Sequence, residues 1–307
     1  KPDQDSFSIA ADPLNPEGLD FDGSESIITV HLADQFNNPV PDGTAVTLTT
    51  EGGAIVGSCL TGFLPSGQRP TETDDFQLDE GECAVIWNSA NPRPIDGRVT
   101  VLATAIGNES FTDDNGNALF DSGEFDPQPF PRGDDLPGEA LRDDNEDGDR
   151  DPGEPFLDFN SSLTYDPDGN GIYNGVLCPE GATDCTRQEL NVRGSLVLVM
   201  SGSNAMITIL SPTTIDLRDG PQTLLFTVSD VNGNPMPADT MINIDSNGTI
   251  RGPSEFIIPS TNVPGPSFFS VPLEADILSN VGTLSITVTT PLGVITQGPS
   301  PSVTVID

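Results

Sequence analysis

Short runs in which apolar and polar residues alternate recur along the chain. One of them is ESIITVHLAD at residues 25–34, and the others are also rich in Val, Ile, Thr and Leu. Alternation with a period of two is typical of antiparallel strands that bury one face. Long stretches with the 3.6-residue period of a helix are nearly absent, and 31 Gly and 29 Pro interrupt the 307 residues too often for long helices. The pattern predicts an all-β chain.

An internal repeat divides this pattern into two copies. With a shift of 196 residues, two strand-turn-strand units superpose, and their turns read DQFNNPVPDGT and DVNGNPMPADT. The first copy places Ile28, Val30, Leu32, Val46 and Leu48 where the second has Leu224, Phe226, Val228, Ile242 and Ile244. A shift of 185 then aligns Val99, Val101 and Ala103 with Leu284, Ile286 and Val288. The repeat predicts two domains with equivalent core strands.

The repeated turn resembles that of bacterial immunoglobulin-like domains of the invasin and intimin type. Their pattern, Asp-x-x-Gly-Asn-Pro-Val-Pro followed by an alternating strand, is similar to Asp34–Leu48 and Asp230–Ile244, although Asn37 replaces the turn glycine in the first copy. The resemblance covers most of residues 20–110 and 205–305. It implies two tandem Ig-like β-sandwiches of the kind used in surface adhesins, filaments and secreted multidomain proteins.

Strand order then predicts the domain boundaries. We expect the first Ig-like domain at residues 1–203 and the second at 204–307. The run SLVLVMSGS at 195–203 has the character of a last strand, so residues 108–192 are predicted to be a long insertion between the final two strands of the first domain. A strand connection tolerates such an insertion because the sandwich keeps its pairing.

The insertion contains a pattern typical of twelve-residue calcium loops, similar to EF-hand and dockerin loops. In DDNEDGDRDPGE, the side chains of Asp143, Asn145, Asp147, Asp151 and Glu154 fall at positions 1, 3, 5, 9 and 12, with Gly148 at the turn and a backbone carbonyl from Asp149. Upstream, Asp113, Asn115, Asn117, Asp121 and Glu124 repeat the scheme, with Ala118 at the turn position and Gly116 two positions early. A third copy has Asp166, Asp168, Asn170 and Asn174, but Leu177 stands where the closing Glu is expected. The spacing predicts two or three Ca²⁺ ions, and the alternative is a solvated acidic linker.

The formal net charge of −37 excludes nucleic acid and anionic membrane surfaces as partners, because both would be repelled. The sequence contains no apolar stretch long enough to span a bilayer. Strong acidity together with calcium loops favours an extracellular or bacterial cell-surface location.

Four cysteines form two sequence-local pairs, Cys59 with Cys83 and Cys178 with Cys185. Their even number, without zinc-type spacing or a nearby histidine, predicts disulfides in an oxidising compartment. The alternative is four free thiols in a cytosolic protein.

Residues for catalysis are scarce, so we predict that the protein is not an enzyme. The single histidine, His31, lies on the polar face of an alternating strand, and a Ser-His-Asp or Cys-His set has no second partner. Sugar-binding faces usually carry Trp or Tyr, but Trp87 is expected in the core, and Tyr165 and Tyr173 flank the third loop.

These observations favour an extracellular structural protein, a calcium-stabilised subunit or stalk segment of an adhesin or filament. The alternatives are a calcium-dependent module that binds a polysaccharide or a host receptor, and a non-catalytic spacer of a larger secreted protein. Self-association into a filament, or with other surface subunits, is one expectation for partners. The terminal SVTVID could add to a neighbouring subunit as an edge strand, or it could be an ordinary last strand of the second domain.

Overall fold

The structure is a computed structural model that describes residues 1–64, 77–125, 133, 135–246, 249–275 and 281–306. Within these residues the chain contains strands and two short 3₁₀ turns, Gln4–Ser6 and Leu217–Asp219, and no α-helix. The predicted all-β class is therefore confirmed. No helix in the described ranges is long and apolar enough to cross a membrane.

By spatial proximity the chain forms two compact units. Unit 1 comprises Lys1–Ala11, Ile27–Trp87 and Thr100–Leu196, and unit 2 comprises Asp12–Ser26, Asn88–Val99 and Val197–Asp307. Because these units combine separate segments of the sequence, the linear domain boundary at residues 203 and 204 stays a prediction.

The first half of the chain carries strands β1 to β12. Their bounds are β1 Phe7–Asp12, β2 Glu25–Leu32, β3 Ala45–Thr50, β4 Ala54–Ile55, β5 Ser58–Leu60, β6 Glu82–Asn88, β7 Arg98–Gly107, β8 Ala140–Leu141, β9 Phe156–Leu157, β10 Tyr173–Asn174, β11 Cys185–Thr186 and β12 Leu190–Val199. Two four-stranded sheets have the orders β1-β2-β6-β4 and β12-β7-β3-β5, while β8-β9 and β10-β11 form two small sheets. Apolar residues at alternate positions of β2 and β3, such as Ile28 and Val46, are fully buried.

The acidic segment, residues 108–189, connects two neighbouring strands of one sheet. Strand β7 ends at Gly107, and β12 begins at Leu190, five residues before the apolar run at 195 that marked it in the sequence. A Cβ atom on Gly107 would lie 2.8 Å from the Val192 side chain, so the two ends of the segment are close together.

Unit 2 is a sandwich of a four-stranded and a five-stranded sheet. Its strands are β13 Met206–Ile209, β14 Thr214–Asp216, β15 Gln222–Ser229, β16 Met241–Asp245, β17 Thr249–Ile250, β18 Glu255–Ile257, β19 Ser267–Glu274, β20 Val281–Thr289 and β21 Ile295–Ile306. The sheet orders are β13-β15-β19-β17 and β14-β21-β20-β16-β18. Residues from both sheets, including Phe226, Val271, Ile286 and Val303, share one buried apolar core. The predicted sandwich architecture is thus observed.

The two copies of the predicted turn have the same hydrogen bonds. Asp34 Oδ1 accepts the backbone N–H groups of Phe36 and Asn38 at 2.9 and 3.0 Å. Asp230 Oδ1 accepts those of Asn232 and Asn234, both at 2.9 Å. Asn37, at φ 59°, occupies the left-handed position that Gly233 occupies at φ 83°. Asn tolerates this conformation better than other side chains, which explains the departure from the turn pattern.

Of the two alternatives for the terminal SVTVID, the structure supports the ordinary last strand and not the exposed edge strand. Strand β21 lies inside its sheet, antiparallel to β20 and parallel to β14, where Thr214, Ile215 and Asp216 pair with Thr304, Val305 and Ile306. Its backbone groups are therefore used on both sides, and the alternative of an ordinary last strand is correct.

Both predicted disulfides are present. Cys59 pairs with Cys83, and Cys178 pairs with Cys185. Trp87 is fully buried, as expected, and its Nε1 donates to the Gly52 carbonyl at 2.9 Å. The buried aromatic ring thus keeps its one polar group satisfied.

The acidic segment has an apolar cluster of its own. Phe111, Phe120 and Tyr173 pack with the Cys178–Cys185 disulfide, and Phe120 stacks on Tyr173 with ring centroids 5.0 Å apart. Leu177, which stands where the third loop lacks a Glu, packs against this cluster. Tyr173 is therefore a core residue, which leaves it unavailable as a surface for sugar.

Candidate metal centre

The loop at residues 113–124 folds around the carboxylates of its first and last residues. Asp113 accepts hydrogen bonds at 2.7, 3.2 and 2.9 Å from the backbone N–H groups of Gly116, Asn117 and Ala118. These bonds, that of Ala118 first, lower the pKa of Asp113. Glu124 accepts the N–H groups of Asp114 at 2.9 Å and Asp121 at 2.8 Å. The carboxylates at both ends of the loop are therefore held by backbone N–H groups of the same loop.

The loop at residues 143–154 repeats the bonds that positions 2, 6 and 9 make in the first loop. Gly148, at position 6, donates its N–H to Asp143 Oδ2 at 2.7 Å, as Ala118 does to Asp113. Glu154 accepts the N–H groups of positions 2 and 9, Asp144 and Asp151, both at 2.8 Å. Strands β8 and β9 flank this loop as an antiparallel pair, so its ends are held together.

The backbone of both loops takes left-handed φ values at positions 4, 6 and 11. In the first loop these are Gly116 at 71°, Ala118 at 62° and Gly123 at 92°; in the second they are Glu146 at 62°, Gly148 at 86° and Gly153 at 113°. The early Gly116 therefore serves a turn that both loops share. Ala118 adopts a conformation that costs less for glycine.

Asparagine side chains connect the oxygens inside each loop. Asn115 and Asn117 donate their amides to Asp121 Oδ2 at 2.6 and 2.7 Å, and Asn145 donates to Asp151 Oδ2 at 2.9 Å. Among the described residues, no group of three or more His, Cys, Asp or Glu side chains is placed to hold a metal ion directly. A cation at these centres would therefore require the amides to turn their oxygens inward.

The residues of the third predicted set all line one cavity, but their hydrogen bonds form two separate groups. The side chains of Asn170 and Asn174 hydrogen-bond to each other at 3.1 and 3.0 Å. Asp166 instead accepts the amide of Asn160 at 2.7 Å and donates its backbone N–H to Glu139 Oε2 at 3.0 Å. The structure gives Asp168 a place on the wall of a cavity together with Asn170 and Asn174.

Two acidic residues that the sequence analysis missed complete the bonding around Asn170 and Asn174. Glu109 Oε2 accepts the N–H of Asn174 at 2.8 Å, which is the bond that Glu154 makes to position 9 of its own loop. Asp135 Oδ2 accepts the N–H of Gly171 at 2.9 Å, as Asp143 does from Gly148. Glu109 thus stands where Leu177 leaves a gap, and Asp135 stands at the first position.

Burial distinguishes the closing glutamates from ordinary loop acids. Glu109, Glu124 and Glu154 are 0%, 4% and 7% exposed. Burial raises the pKa of Glu109 to about 7, although hydrogen bonds from Leu136 and Asn174 act in the opposite direction. A carboxylate removed from water is costly unless a positive charge or hydrogen bonds compensate it.

Two further sequence candidates are not part of the loop bonding described above. His31 lies in β2 with an intermediate exposure. Tyr165 is partly buried, and its ring packs edge-on against Phe156 with centroids 5.5 Å apart. The Arg150 guanidinium lies 4.8 Å from the centroid of Phe156. Tyr165 thus packs within the acidic segment, beside Phe156 and Arg150.

Solved structures similar to this chain include an adhesin, a domain pair of intimin and an integrin-binding protein. The Yersinia pseudotuberculosis adhesin InvE matches at 10% identity and a TM-score of 0.26, over 98% of this chain and 59% of that chain. The D0-D1 domain of intimin matches at 10% identity and a TM-score of 0.24, over 98% of each chain. Invasin, a bacterial integrin-binding protein, matches at 14% identity and a TM-score of 0.25, over 98% of this chain and 39% of that chain.

This chain therefore spans less than two thirds of the InvE and invasin structures that it matches. No protein-family description and no curated protein matches it. At this level of similarity we assign the chain to no family.

Proposed function

We propose that the chain is an extracellular structural protein, a calcium-stabilised subunit or stalk segment of a bacterial surface adhesin or filament. The observation that carries this proposal is the shared hydrogen-bond framework of residues 113–124 and 143–154. In each loop the carboxylate of the first residue accepts the N–H of position 6, and the buried carboxylate of the closing Glu accepts the N–H of position 2. Hard oxygen ligands at these positions suit Ca²⁺.

The ligand sets follow from the loop positions. Position 7 supplies its backbone carbonyl, and the closing glutamate supplies two oxygens. For the first ion we assign the side chains of Asp113, Asn115, Asn117, Asp121 and Glu124 and the carbonyl of Leu119; for the second, the side chains of Asp143, Asn145, Asp147, Asp151 and Glu154 and the carbonyl of Asp149.

A third ion would lie beside Asp168, Asn170 and Asn174. The loop that begins at Asp166 has no closing Glu of its own, so Glu109 and Asp135 supply the two carboxylates from elsewhere in the chain. The Asp135 Oδ1 atom is buried and has no hydrogen-bond partner among the described residues. A cation at this position would satisfy that oxygen.

The compartment is supported by the two disulfides, which persist in oxidising surroundings. Extracellular calcium modules bind at roughly 10⁻⁴ to 10⁻³ M, so such loops fill outside the cell and stay empty in cytosol. A structural role rather than catalysis is supported by the use of the recognisable acids as loop ligands. The assignment to an adhesin or filament rests on the resemblance of the repeated turn to invasin-type domains.

Calcium removal tests the proposal. We expect EDTA to lower the melting temperature and to increase protease cleavage between residues 108 and 177, because the acidic loops repel one another without cations. Re-addition of calcium in excess over EDTA should reverse both effects, and magnesium at the same ionic strength is the control. Unchanged melting and unchanged cleavage would contradict the calcium role.

Assembly requires a separate measurement. Negative-stain electron microscopy of the protein with calcium would distinguish filaments from monomers. A protein that remains monomeric at every concentration would contradict the filament form of the proposal and leave the stalk segment.

A further inference from the structure

A fourth loop with the same framework lies at residues 158–166, where the sequence reads DFNSSLTYD. Asp158 accepts the backbone N–H of Ser162 on Oδ1 at 3.0 Å and that of Leu163 on Oδ2 at 2.9 Å. These are the bonds that Asp143 accepts from positions 5 and 6 of its loop. The amide of Asn160 donates to Asp166 at 2.7 Å, as position 3 donates to position 9 in the two complete loops.

The backbone conformation of residues 158–166 also matches that of the loop at residues 143–154. Ser161 and Leu163 have φ values of 61° and 65°, at the loop positions where Glu146 and Gly148 have 62° and 86°. The loop lacks a closing acid of its own, because Gly169 occupies position 12. A carboxylate from elsewhere in the chain is therefore needed to complete it.

Glu139 fills that place from 27 residues upstream of Asp166. Its Oε2 accepts the N–H of Asp166 at 3.0 Å, which is the bond between Glu154 and Asp151 in the second loop. The β8-β9 pair explains the approach: Ala140 pairs with Leu157, so the residues just outside this pair, Glu139 and Asp158, are brought together.

The Glu139 carboxylate itself indicates a missing ligand. The residue is 1% exposed, and its Oε1 is buried with no hydrogen-bond partner among the described residues. Glu139 lines a cavity of about 190 Å³ together with Asn160 and Asp166. The same cavity is also lined by Asp168, Asn170 and Asn174. A buried, half-satisfied carboxylate that faces a polar cavity is costly unless the cavity holds something positive.

Arg193, which lies near Glu139, hydrogen-bonds to backbone carbonyl groups and not to the Glu139 carboxylate. Arg193 of β12 donates from its guanidinium to the carbonyl oxygens of Pro137 and Glu139. It therefore fixes the position of this turn, and the carboxylate remains directed at the loop.

We propose that Glu139 and the loop at residues 158–166 form a further site for a hard divalent cation of the calcium type. Its oxygens would come from the side chains of Asp158, Asn160, Ser162, Asp166 and Glu139 and from the carbonyl of Thr164. With a bidentate Glu139 this set offers about seven oxygens, within the range that Ca²⁺ accepts. This site assigns Asp166 to a different ion from Asp168, Asn170 and Asn174.

The inference extends the proposed function, but it is tested separately. The number of ions bound by the full chain is measured by equilibrium dialysis with calcium for wild type, Glu139→Gln and Glu154→Gln. We expect each variant to bind one ion fewer than wild type. The matched control is Glu180→Gln, an exposed glutamate of the same segment, which should bind as many ions as wild type.

The outcomes separate the two claims. If Glu154→Gln loses an ion and Glu139→Gln does not, the further site is overturned and the proposed calcium role stands. If neither variant loses an ion, both are overturned.

A second variant covers the case in which Glu139→Gln does not fold. Ser162 is exposed, and Ser162→Ala removes one neutral ligand oxygen. Terbium is the probe, because Tyr165 is next to Asp166 in the chain and can sensitise the luminescence of a terbium ion bound at this site. We expect Ser162→Ala to shift the terbium midpoint of the Tyr-sensitised signal to a higher concentration, and an unchanged midpoint would overturn the site.

Discussion

The carboxylate of Glu17 accepts a hydrogen bond from the Thr290 hydroxyl at 2.7 Å, across 273 residues of sequence. Its second oxygen accepts the N–H of Leu292 at 2.9 Å, and the side chain is 4% exposed. Both partners belong to unit 2, so this carboxylate fastens the Asp12–Ser26 segment to the turn that follows β20.

Removal of this carboxylate should destabilise the protein. We expect Glu17→Ala to lower the free energy of unfolding by about 2 kcal/mol, since a hydrogen bond to a charged group contributes roughly 1.5–3 kcal/mol. Urea denaturation of Glu17→Ala, Thr290→Val and the double variant measures the coupling. The exposed Glu25→Ala is the control. Purely additive effects would show that the two side chains do not interact in solution.

The closing glutamates of the two complete loops should each be needed for one ion. We expect Glu124→Gln and Glu154→Gln each to remove one bound calcium, because each loses the bidentate ligand of its loop. Calorimetric titration of the full chain measures the number of ions. Glu146→Gln removes the same charge from the second loop at a position without a ligand role, so its stoichiometry should equal that of wild type. Equal loss in Glu146→Gln would indicate general charge screening instead of a defined site.

The left-handed turn of each loop predicts opposite effects for two substitutions. Ala118→Gly should raise the free energy of unfolding by about 1 kcal/mol in calcium, because it relieves a side chain at φ 62°. Gly148→Ala should lower it by about 1 kcal/mol, although there is open space around its Cβ position. Gly138→Ala has open space and an ordinary φ, and it should cause no loss. Thermal melting at saturating calcium measures these changes. A lower melting temperature for Ala118→Gly than for wild type would contradict the prediction.

Asp3 predicts a loss of stability as pH rises. The side chain is 2% exposed, and burial raises its pKa to about 7, opposed by the Ser110 hydrogen bond and assisted by Asp5 and Asp34. Between about pH 4 and pH 7 the native state keeps a proton that the unfolded chain has released. Stability is therefore full below the unfolded pKa and falls by up to about 1.4 kcal/mol per pH unit as pH rises through this window.

The measurement for Asp3 is a set of urea denaturation curves at pH 5, 6 and 7 with calcium held constant. We expect Asp3→Asn to decline less steeply with pH than wild type, because its side chain carries no charge in either state. Asp12→Asn, at an exposed position, should keep the wild-type slope. Identical slopes for Asp3→Asn and wild type would refute the assignment.

The core strands could be predicted from sequence because alternation is a local property. Ile28 and its repeat partner Leu224 are both fully buried, as the period of two requires when one face of a strand meets a core. The turn was equally local: Asp34 and Asp230 bond to residues two and four positions ahead. The left-handed position in each loop is also local: the pattern placed Ala118 at the turn position, and the structure gives it a φ of 62°.

The features that the sequence did not predict depend on contacts between distant residues. Glu109 contacts Asn174 across 65 residues, and a spacing rule for one continuous loop does not include such a distant partner. For Glu139 a signal was available, since Pro137-Gly138-Glu139 repeats Pro152-Gly153-Glu154 without an acidic loop before it. The interior position of β21 depends on its parallel pairing with β14, which strand composition does not reveal.

The closeness of Gly107 and Val192 has a practical consequence for protein engineering. A segment whose two ends leave adjoining strands can be excised and replaced by a short linker, or grafted onto another host sheet, with the order of the surrounding strands preserved. The acidic segment is in this sense a transferable insertion, and the proposed ion binding could be tested in a recipient scaffold that lacks the rest of this chain.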